Sequence, residues 1–208
     1  MKKEVKFYSL HERIWHWIQA LTILVLIVTG FEVHAPGRIH LLGFELAVVT
    51  HTVFAVVLLA NAAMGLFYFL TSGAIRQYVP GESGFFVKAL RQAQYYLGGI
   101  FRGEPHPFEA TPGNRLNPLQ KVTYLMILNV LLPVQVVTGV LIWGAERWPD
   151  LVATVGGLAL LVPIHALASW LFLSFIVMHI YLTTTGETPT ANLKAMLTGF
   201  HESEEEAK

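Results

Sequence analysis

The chain has 208 residues, of which 54% are hydrophobic and 13% are charged, whereas roughly a quarter of the residues are charged in an ordinary soluble domain. The formal net charge is zero, and no nucleic-acid partner is expected. There is no cysteine, which excludes disulfides, thiolate-bound iron–sulfur or zinc sites and covalent c-type haem attachment.

Four long stretches of the sequence contain no Asp, Glu, Lys or Arg. A bilayer core about 30 Å thick requires about 20 apolar residues in a helix. The alternative, four buried helices of a soluble protein, would leave too few polar residues to cover the surface. We therefore predict an all-α fold, an integral membrane four-helix bundle that forms a single domain over residues 1–208, with helices at about 10–33, 44–72, 118–144 and 156–184.

Local signals mark where two of these helices begin. Ser9 and Glu12 have the spacing of a capping box, which predicts that the first helix starts at Leu10. Asn117 followed by Pro118 is typical of an N-cap with proline at the first helical position of the third helix. Pro133 is expected to kink that helix.

Two segments outside the membrane helices have a distinct pattern. At about 84–101, apolar residues recur at helical spacing, with Lys88, Arg91 and Gln92 on the other side. This pattern predicts an amphipathic helix lying in the membrane interface on the cytoplasmic side. The apolar positions of this amphipathic helix are Phe86, Ala89, Leu90, Ala93, Tyr96, Leu97 and Ile100.

The last residues, 201–208, are acidic, and we expect a solvated, disordered tail.

The basic residues indicate how the chain is oriented. The first and third connections carry only Arg38 and Arg147, whereas the other twelve Lys and Arg residues lie in the two terminal segments and the second connection. Basic residues favour the cytoplasmic side of a membrane. We therefore expect a multi-pass protein of the bacterial cytoplasmic (inner) membrane with both termini in the cytoplasm.

Four of the nine histidines lie inside apolar helices, where ionisable groups are costly and usually functional. The predicted topology places His16 on the inner side and His51 and His165 on the outer side. His179 follows His165 by fourteen residues, about 21 Å along a helix and nearly four full turns. The four residues therefore pair by depth, His16 with His179 and His51 with His165.

Two facing imidazoles at each of two depths are what two bis-histidine b-type haems require. We predict His16 and His179 as axial ligands of an inner haem, and His51 and His165 as axial ligands of an outer haem. Arg13, one turn before His16, is either a partner of a haem propionate or a positive-inside anchor. Hydrogen-bonded structural histidines are one alternative. A proton or metal transporter is another, although such proteins carry carboxylates at membrane depth and the middle of each helix has none.

Small residues and one short repeat accompany these histidines. Glycines at 30, 65 and 139 are expected to leave space for a porphyrin. The tripeptide Val-Thr-Gly occurs at 28–30 and at 137–139, and the next helix then carries His51 or His165. Two parallel helical hairpins are one interpretation of this repeat, and chance recurrence in apolar sequence is the other.

The chain resembles the cytochrome b membrane subunits of bacterial formate dehydrogenase, nickel–iron hydrogenase and thiosulfate reductase. The resemblance covers nearly the whole chain and rests on short strings and on the positions of the helix histidines. The short strings are RIWHW at 13–17, GNRLNPLQK at 113–121 and ANLKAMLTG at 191–199. A proline-rich segment before the third helix, at 101–112, departs from the formate dehydrogenase subunit, so the branch of the family to which the chain belongs stays open.

The resemblance implies an electron-transfer subunit rather than a complete enzyme. It implies two b haems, a periplasmic iron–sulfur or multihaem catalytic partner, and a quinone (menaquinone or ubiquinone) that is reduced, or whose quinol is oxidised, near the inner haem. The alternative is a self-contained dihaem oxidoreductase that acts on a small molecule such as superoxide and on quinone. The resemblance places the quinone beside His179 and at Asn117, Leu119, Gln120 and Lys121. The alternatives are that Asn117 is only an N-cap and that Lys121 is only an interfacial anchor.

Overall fold

A computed structural model describes residues 2–81, 83–108, 110–186 and 188–204 of the protein. Across these ranges, four helices are long and apolar enough to cross a membrane, and their ends lie within one residue of the predicted ends. Three shorter helices and two strands complete the main elements. In chain order the elements are β1 (Lys2–Lys6), α1 (Leu10–His34), α2 (Phe44–Thr71), α3 (Phe85–Gln94), α4 (Pro118–Trp143), α5 (Pro149–Thr154), α6 (Gly157–Thr183), α7 (Ala191–Thr198) and β2 (Phe200–Glu204).

The chain divides into two compact units. The terminal unit comprises Met1–Ala74 and Phe175–Lys208, and the central unit comprises Ile75–Ser174. The terminal unit contains α1, α2, the end of α6 and α7, while the central unit contains α3, α4, α5 and most of α6. One helix, α6, therefore contributes His165 to the central unit and His179 to the terminal unit.

The distribution of polar residues along α1 is the reverse of that in a soluble protein. Thr22 and Thr29 are 2% and 1% exposed, whereas Leu21 and Val28 are 61% and 46% exposed. An apolar outer surface around buried hydroxyl groups is stable where the surroundings are hydrocarbon, because no water competes for the outer face. The protein is therefore a multi-pass membrane protein.

The start of α1 and the start of α4 have the predicted caps. Ser9 accepts a hydrogen bond from the backbone N–H of Glu12, and the Glu12 carboxylate accepts one from the backbone N–H of Ser9.

Within α4 the backbone widens to a π turn at Ile127–Leu131, directly before the turn that contains Pro133. Proline lacks an N–H and its ring crowds the preceding turn, so a wider turn accommodates it.

The expectation of a disordered acidic tail is wrong for the first residues of that tail. Phe200–Glu204 pairs in antiparallel register with Lys2–Lys6, with Val5 opposite His201. The backbone N–H groups of Phe7 and Tyr8 also donate to the carbonyl of Gly199. Main-chain pairing of this kind needs no hydrophobic pattern in the tail. Residues 205–208 lie outside the described part of the chain.

The amphipathic helix is present, but one of its faces is not as predicted. The chain is helical from Phe85 through Arg102, with a π turn at Tyr95–Gly99. Gln92, expected on the solvent side, is 1% exposed and shares the buried face with Phe85 and Ala89. Its side-chain nitrogen lies 3.3 Å from Nε2 of His106, which gives the buried amide a partner.

Candidate functional site at the membrane histidines

His16 and His179 face each other within the terminal unit. Their ring centres are 6.2 Å apart and their planes are inclined by 48°. The His179 ring also stacks on Phe175, one turn earlier in α6. Both imidazoles are half-buried, and Nδ1 of His16 is buried with no hydrogen-bond partner among the described residues. The pair predicted from depth alone is therefore brought together.

His51, also in the terminal unit, is held against α1. Oγ1 of Thr29 lies 2.9 Å from Nδ1 of His51. The next residue is Gly30, where an added Cβ would lie 3.3 Å from Cε1 of the same imidazole. The hydroxyl group and the bare glycine together fix where this ring can lie.

His165 has the same kind of environment in the central unit. Oγ1 of Thr138 lies 2.9 Å from Nδ1 of His165, and a Cβ added at Gly139 would lie 3.1 Å from Cε1. On the other side of the ring, Nε2 of Gln135 lies 3.0 Å from Nε2 of His165 and also donates to Oγ of Ser169. Oε1 of Gln135 is buried without a hydrogen-bond partner in the described ranges.

The glycines serve the side chains around them in different ways. Gly30 and Gly139 face the imidazoles of His51 and His165. Gly65 instead leaves room for an indole, because a Cβ at this position would lie 2.6 Å from Cε2 of Trp15. We did not predict roles for Thr29, Thr138 or Gln135. The signal that could have revealed the two threonines was the Val-Thr-Gly repeat.

Arg13 binds the C-terminal helix. Its Nη2 donates to the backbone carbonyl of Leu197, in the last turn of α7, where helix carbonyls lack intrahelical partners and attract cations. Nε of Arg13 is buried and has no hydrogen-bond partner within the described ranges. The guanidinium group therefore retains a free donor.

The residues that the resemblance assigns to a quinone site lie at the start of α4. Oδ1 of Asn117 accepts from the backbone N–H of Gln120, and Oε1 of Gln120 accepts from the backbone N–H of Asn117. Nδ2 of Asn117 donates to the hydroxyl of Tyr96 at 3.1 Å. The side chain of Asn117 is thus used both in a capping box and in a contact with the amphipathic helix. Lys121 is 5% exposed and Leu119 is half-buried.

Four apolar helices that carry one facing histidine pair and two further histidines beside threonine and glycine define a class of protein, a membrane cytochrome of the b type. The sequence model of the family described as prokaryotic cytochrome b561 matches residues 8–199, and the chain belongs to this family. It is also 32% identical over 201 residues to YdhU of Escherichia coli (strain K12), a protein named as a candidate cytochrome. That alignment covers 96% of this chain and 75% of YdhU. The protein is thus a membrane electron-transfer protein.

The family implies haem b, and the residues present fit such a group. A metal–imidazole nitrogen bond is about 2 Å long, so two imidazoles on opposite sides of one metal would have ring centres about 6 Å apart. The separation of His16 and His179 has this value. At His165, Nε2 of Gln135 contacts Nε2 of the imidazole, so a metal could bind this ring nitrogen only if the amide turned away.

Proposed function

We propose that the protein is a dihaem cytochrome b subunit that carries electrons between a periplasmic oxidoreductase and the quinone pool of the bacterial cytoplasmic membrane. The facing pair of His16 and His179 inside membrane helices is the observation that carries the proposal. Family membership supports the electron-transfer role.

Four histidines would hold the two haems. His16 and His179 would be the axial ligands of the inner haem, and His51 and His165 those of the outer haem. When bound, haem b supplies one-electron redox chemistry. The free Nε donor of Arg13, one turn from His16, supports a role for Arg13 in binding a propionate of the inner haem.

The experiment measures haem content and low-spin haem signals in the protein purified from bacterial membranes. We expect two haems in the unaltered chain. His16→Ala and His179→Ala should each remove the same haem, and His51→Ala and His165→Ala should each remove the other. His34→Ala is the matched control, because His34 is exposed in the last turn of the helix that carries His16. A colourless protein, or variants that remove haems in another combination, would overturn the assignment.

The quinone would bind near the cytoplasmic end of α4, beside His179, with Asn117, Leu119, Gln120 and Lys121. The predominance of basic residues in the terminal segments and the second connection supports a cytoplasmic location for this end. Lys121 is the variant of choice, because Asn117 and Gln120 also cap the helix. Lys121→Gln should slow electron exchange with quinol in membranes and leave both haems bound. Unchanged exchange would exclude Lys121 from the site.

The catalytic partner is tested by purification of the complex from its native membrane. The described connections α1–α2 and α4–α6 contain only short elements, so substrate chemistry would belong to a periplasmic iron–sulfur or multihaem subunit. Co-purification of such a subunit supports the proposal. Quinol-dependent turnover by the chain alone, with no partner bound, would contradict it.

A further inference from the structure

The two Val-Thr-Gly segments build the same niche around two histidines. In the terminal unit, Oγ1 of Thr29 lies 2.9 Å from Nδ1 of His51. In the central unit, Oγ1 of Thr138 lies 2.9 Å from Nδ1 of His165. A Cβ added at the following glycine would lie 3.7 Å from Nδ1 of the imidazole in both cases. Chance recurrence of a tripeptide does not explain a shared geometry of this kind.

The hydroxyl proton of each threonine is already engaged. Thr29 donates to the carbonyl of Val25 at 2.8 Å, and Thr138 donates to the carbonyl of Val134 at 2.7 Å. A threonine hydroxyl has one proton and two lone pairs. Each oxygen can therefore only accept a hydrogen bond from the neighbouring imidazole.

It follows that Nδ1 of each imidazole carries the proton and that Nε2 is unprotonated. At His165 a second contact agrees with this tautomer, because the Gln135 amide nitrogen, a donor, lies 3.0 Å from Nε2. A metal-binding histidine needs its unprotonated nitrogen directed at the metal, and a hydrogen bond from the other ring nitrogen sets that state.

We propose that Thr29 with Gly30, and Thr138 with Gly139, are two equivalent positioning sites that fix the tautomer and ring orientation of His51 and His165 for haem iron. This inference rests on the proposed role of these histidines as haem ligands. The threonines are positioning residues, since they act through the imidazoles. Each glycine lets its ring approach the backbone, because a Cβ would lie 3.3 Å or 3.1 Å from Cε1.

The test replaces each threonine with valine, which keeps the shape and removes the hydroxyl, in the full chain purified from membranes. A hydrogen bond to Nδ1–H makes the imidazole a stronger ligand and so favours the oxidised iron. Thr29→Val should therefore raise the midpoint potential of the haem that is lost in His51→Ala. Thr138→Val should do the same for the haem that is lost in His165→Ala. In each valine variant, we expect the affinity for the affected haem to fall about 10- to 100-fold, measured by transfer of the haem to apomyoglobin.

Two further variants separate this effect from general loss of stability. Thr29→Ser and Thr138→Ser retain the hydroxyl and should restore both the potential and the haem retention. Thr52→Val is the matched control, because Thr52 adjoins His51 but its hydroxyl bonds only the Val48 carbonyl of its own helix in the described hydrogen bonds. It should leave the potential unchanged.

The outcomes distinguish this inference from the proposed function. If the histidine variants remove haems as proposed but the valine variants match Thr52→Val, the positioning role is excluded and the haem assignment stands. The same exclusion follows if the serine variants behave as the valine variants do. If His51→Ala or His165→Ala removes no haem, the proposed function itself fails.

Discussion

Trp15 and Asn61 hydrogen-bond to each other's backbone across α1 and α2. The indole N–H of Trp15 donates to the carbonyl of Asn61 at 3.0 Å, and Nδ2 of Asn61 donates to the carbonyl of Trp15 at 3.1 Å. The same amide donates to Oε1 of Gln19 at 2.7 Å. Because Trp15 precedes His16, this reciprocal contact fixes α1 against α2 next to one of the paired histidines.

Replacing Asn61 with leucine should destabilise the protein by about 1–3 kcal/mol, because the Trp15 carbonyl and the Gln19 amide oxygen would lose their buried donor. Thermal unfolding in detergent measures the change. Asn129→Leu is the control, since Asn129 is exposed and its amide donates to the Leu125 carbonyl of its own helix. Equal unfolding temperatures for the two variants would show that the contact contributes nothing.

Gly65→Ala should destabilise the protein by about 1–3 kcal/mol, because the new methyl group would overlap the Trp15 indole. The clash predicts a favourable coupling with Trp15→Phe, so the double variant should lose less stability than the sum of the single variants. Gly37→Ala serves as the control, as a Cβ at Gly37 meets nothing within 4 Å. Strictly additive losses of stability in this double-mutant cycle would rule out the overlap as the cause.

Glu32→Gln should lower the unfolding temperature by a few degrees. The Glu32 carboxylate is 1% exposed and accepts hydrogen bonds from the backbone N–H groups of Leu41, Leu42 and Gly43, at the start of α2. An amide offers one acceptor oxygen in place of two, and it has no negative charge to interact favourably with the positive end of the helix dipole. Glu45→Gln, on the exposed first turn of α2, is the control. A larger effect at Glu45 would contradict this account.

Tyr96→Phe should reduce stability and change its dependence on pH. The Tyr96 hydroxyl accepts a hydrogen bond from Asn117, and its loss should cost about 1–3 kcal/mol. Burial raises the pKa of Tyr96 above its ordinary value of 10.0, so the folded protein holds this proton more tightly than the unfolded chain does. The resulting stabilisation is fully present below pH 10 and is lost as the pH rises through the raised pKa.

Denaturant unfolding at several pH values from neutrality to above pH 10 tests this relationship. The unaltered protein should lose stability as the pH rises above 10. The Tyr96→Phe variant should lose less, because it lacks the contribution from deprotonation of Tyr96. Tyr181→Phe is the control, as Tyr181 is 42% exposed. Parallel alkaline profiles for the Tyr96→Phe variant and the unaltered protein would exclude Tyr96 as the titrating group.

The sequence predicted those features that depend on strong local rules. Charge-free stretches located the four membrane helices, since a charged group is costly in hydrocarbon. Caps at Ser9 and Asn117 located two helix starts to the residue. The prediction that His16 pairs with His179 followed from their depths in the membrane, because an α-helix advances by a fixed rise per residue.

The remainder depends on partners that are distant in sequence. The amphipathic pattern assigned Gln92 to the solvent face, but its amide meets His106 from a later loop. The strand at Phe200–Glu204 depends on main-chain pairing with residues almost 200 positions away. The positions of Thr29 and Thr138 beside imidazoles became clear only with the packing of α1 on α2 and of α4 on α6.

The discontinuity of the terminal unit has a consequence for biogenesis. The central unit is one continuous segment, whereas the terminal unit combines the first 74 residues with the stretch from Phe175 onward. During translation, His16 enters the membrane long before the ribosome has made His179. All of the central unit is therefore synthesised before the second part of the terminal unit. A haem held by both His16 and His179, as proposed, would bind only after that second part has been made.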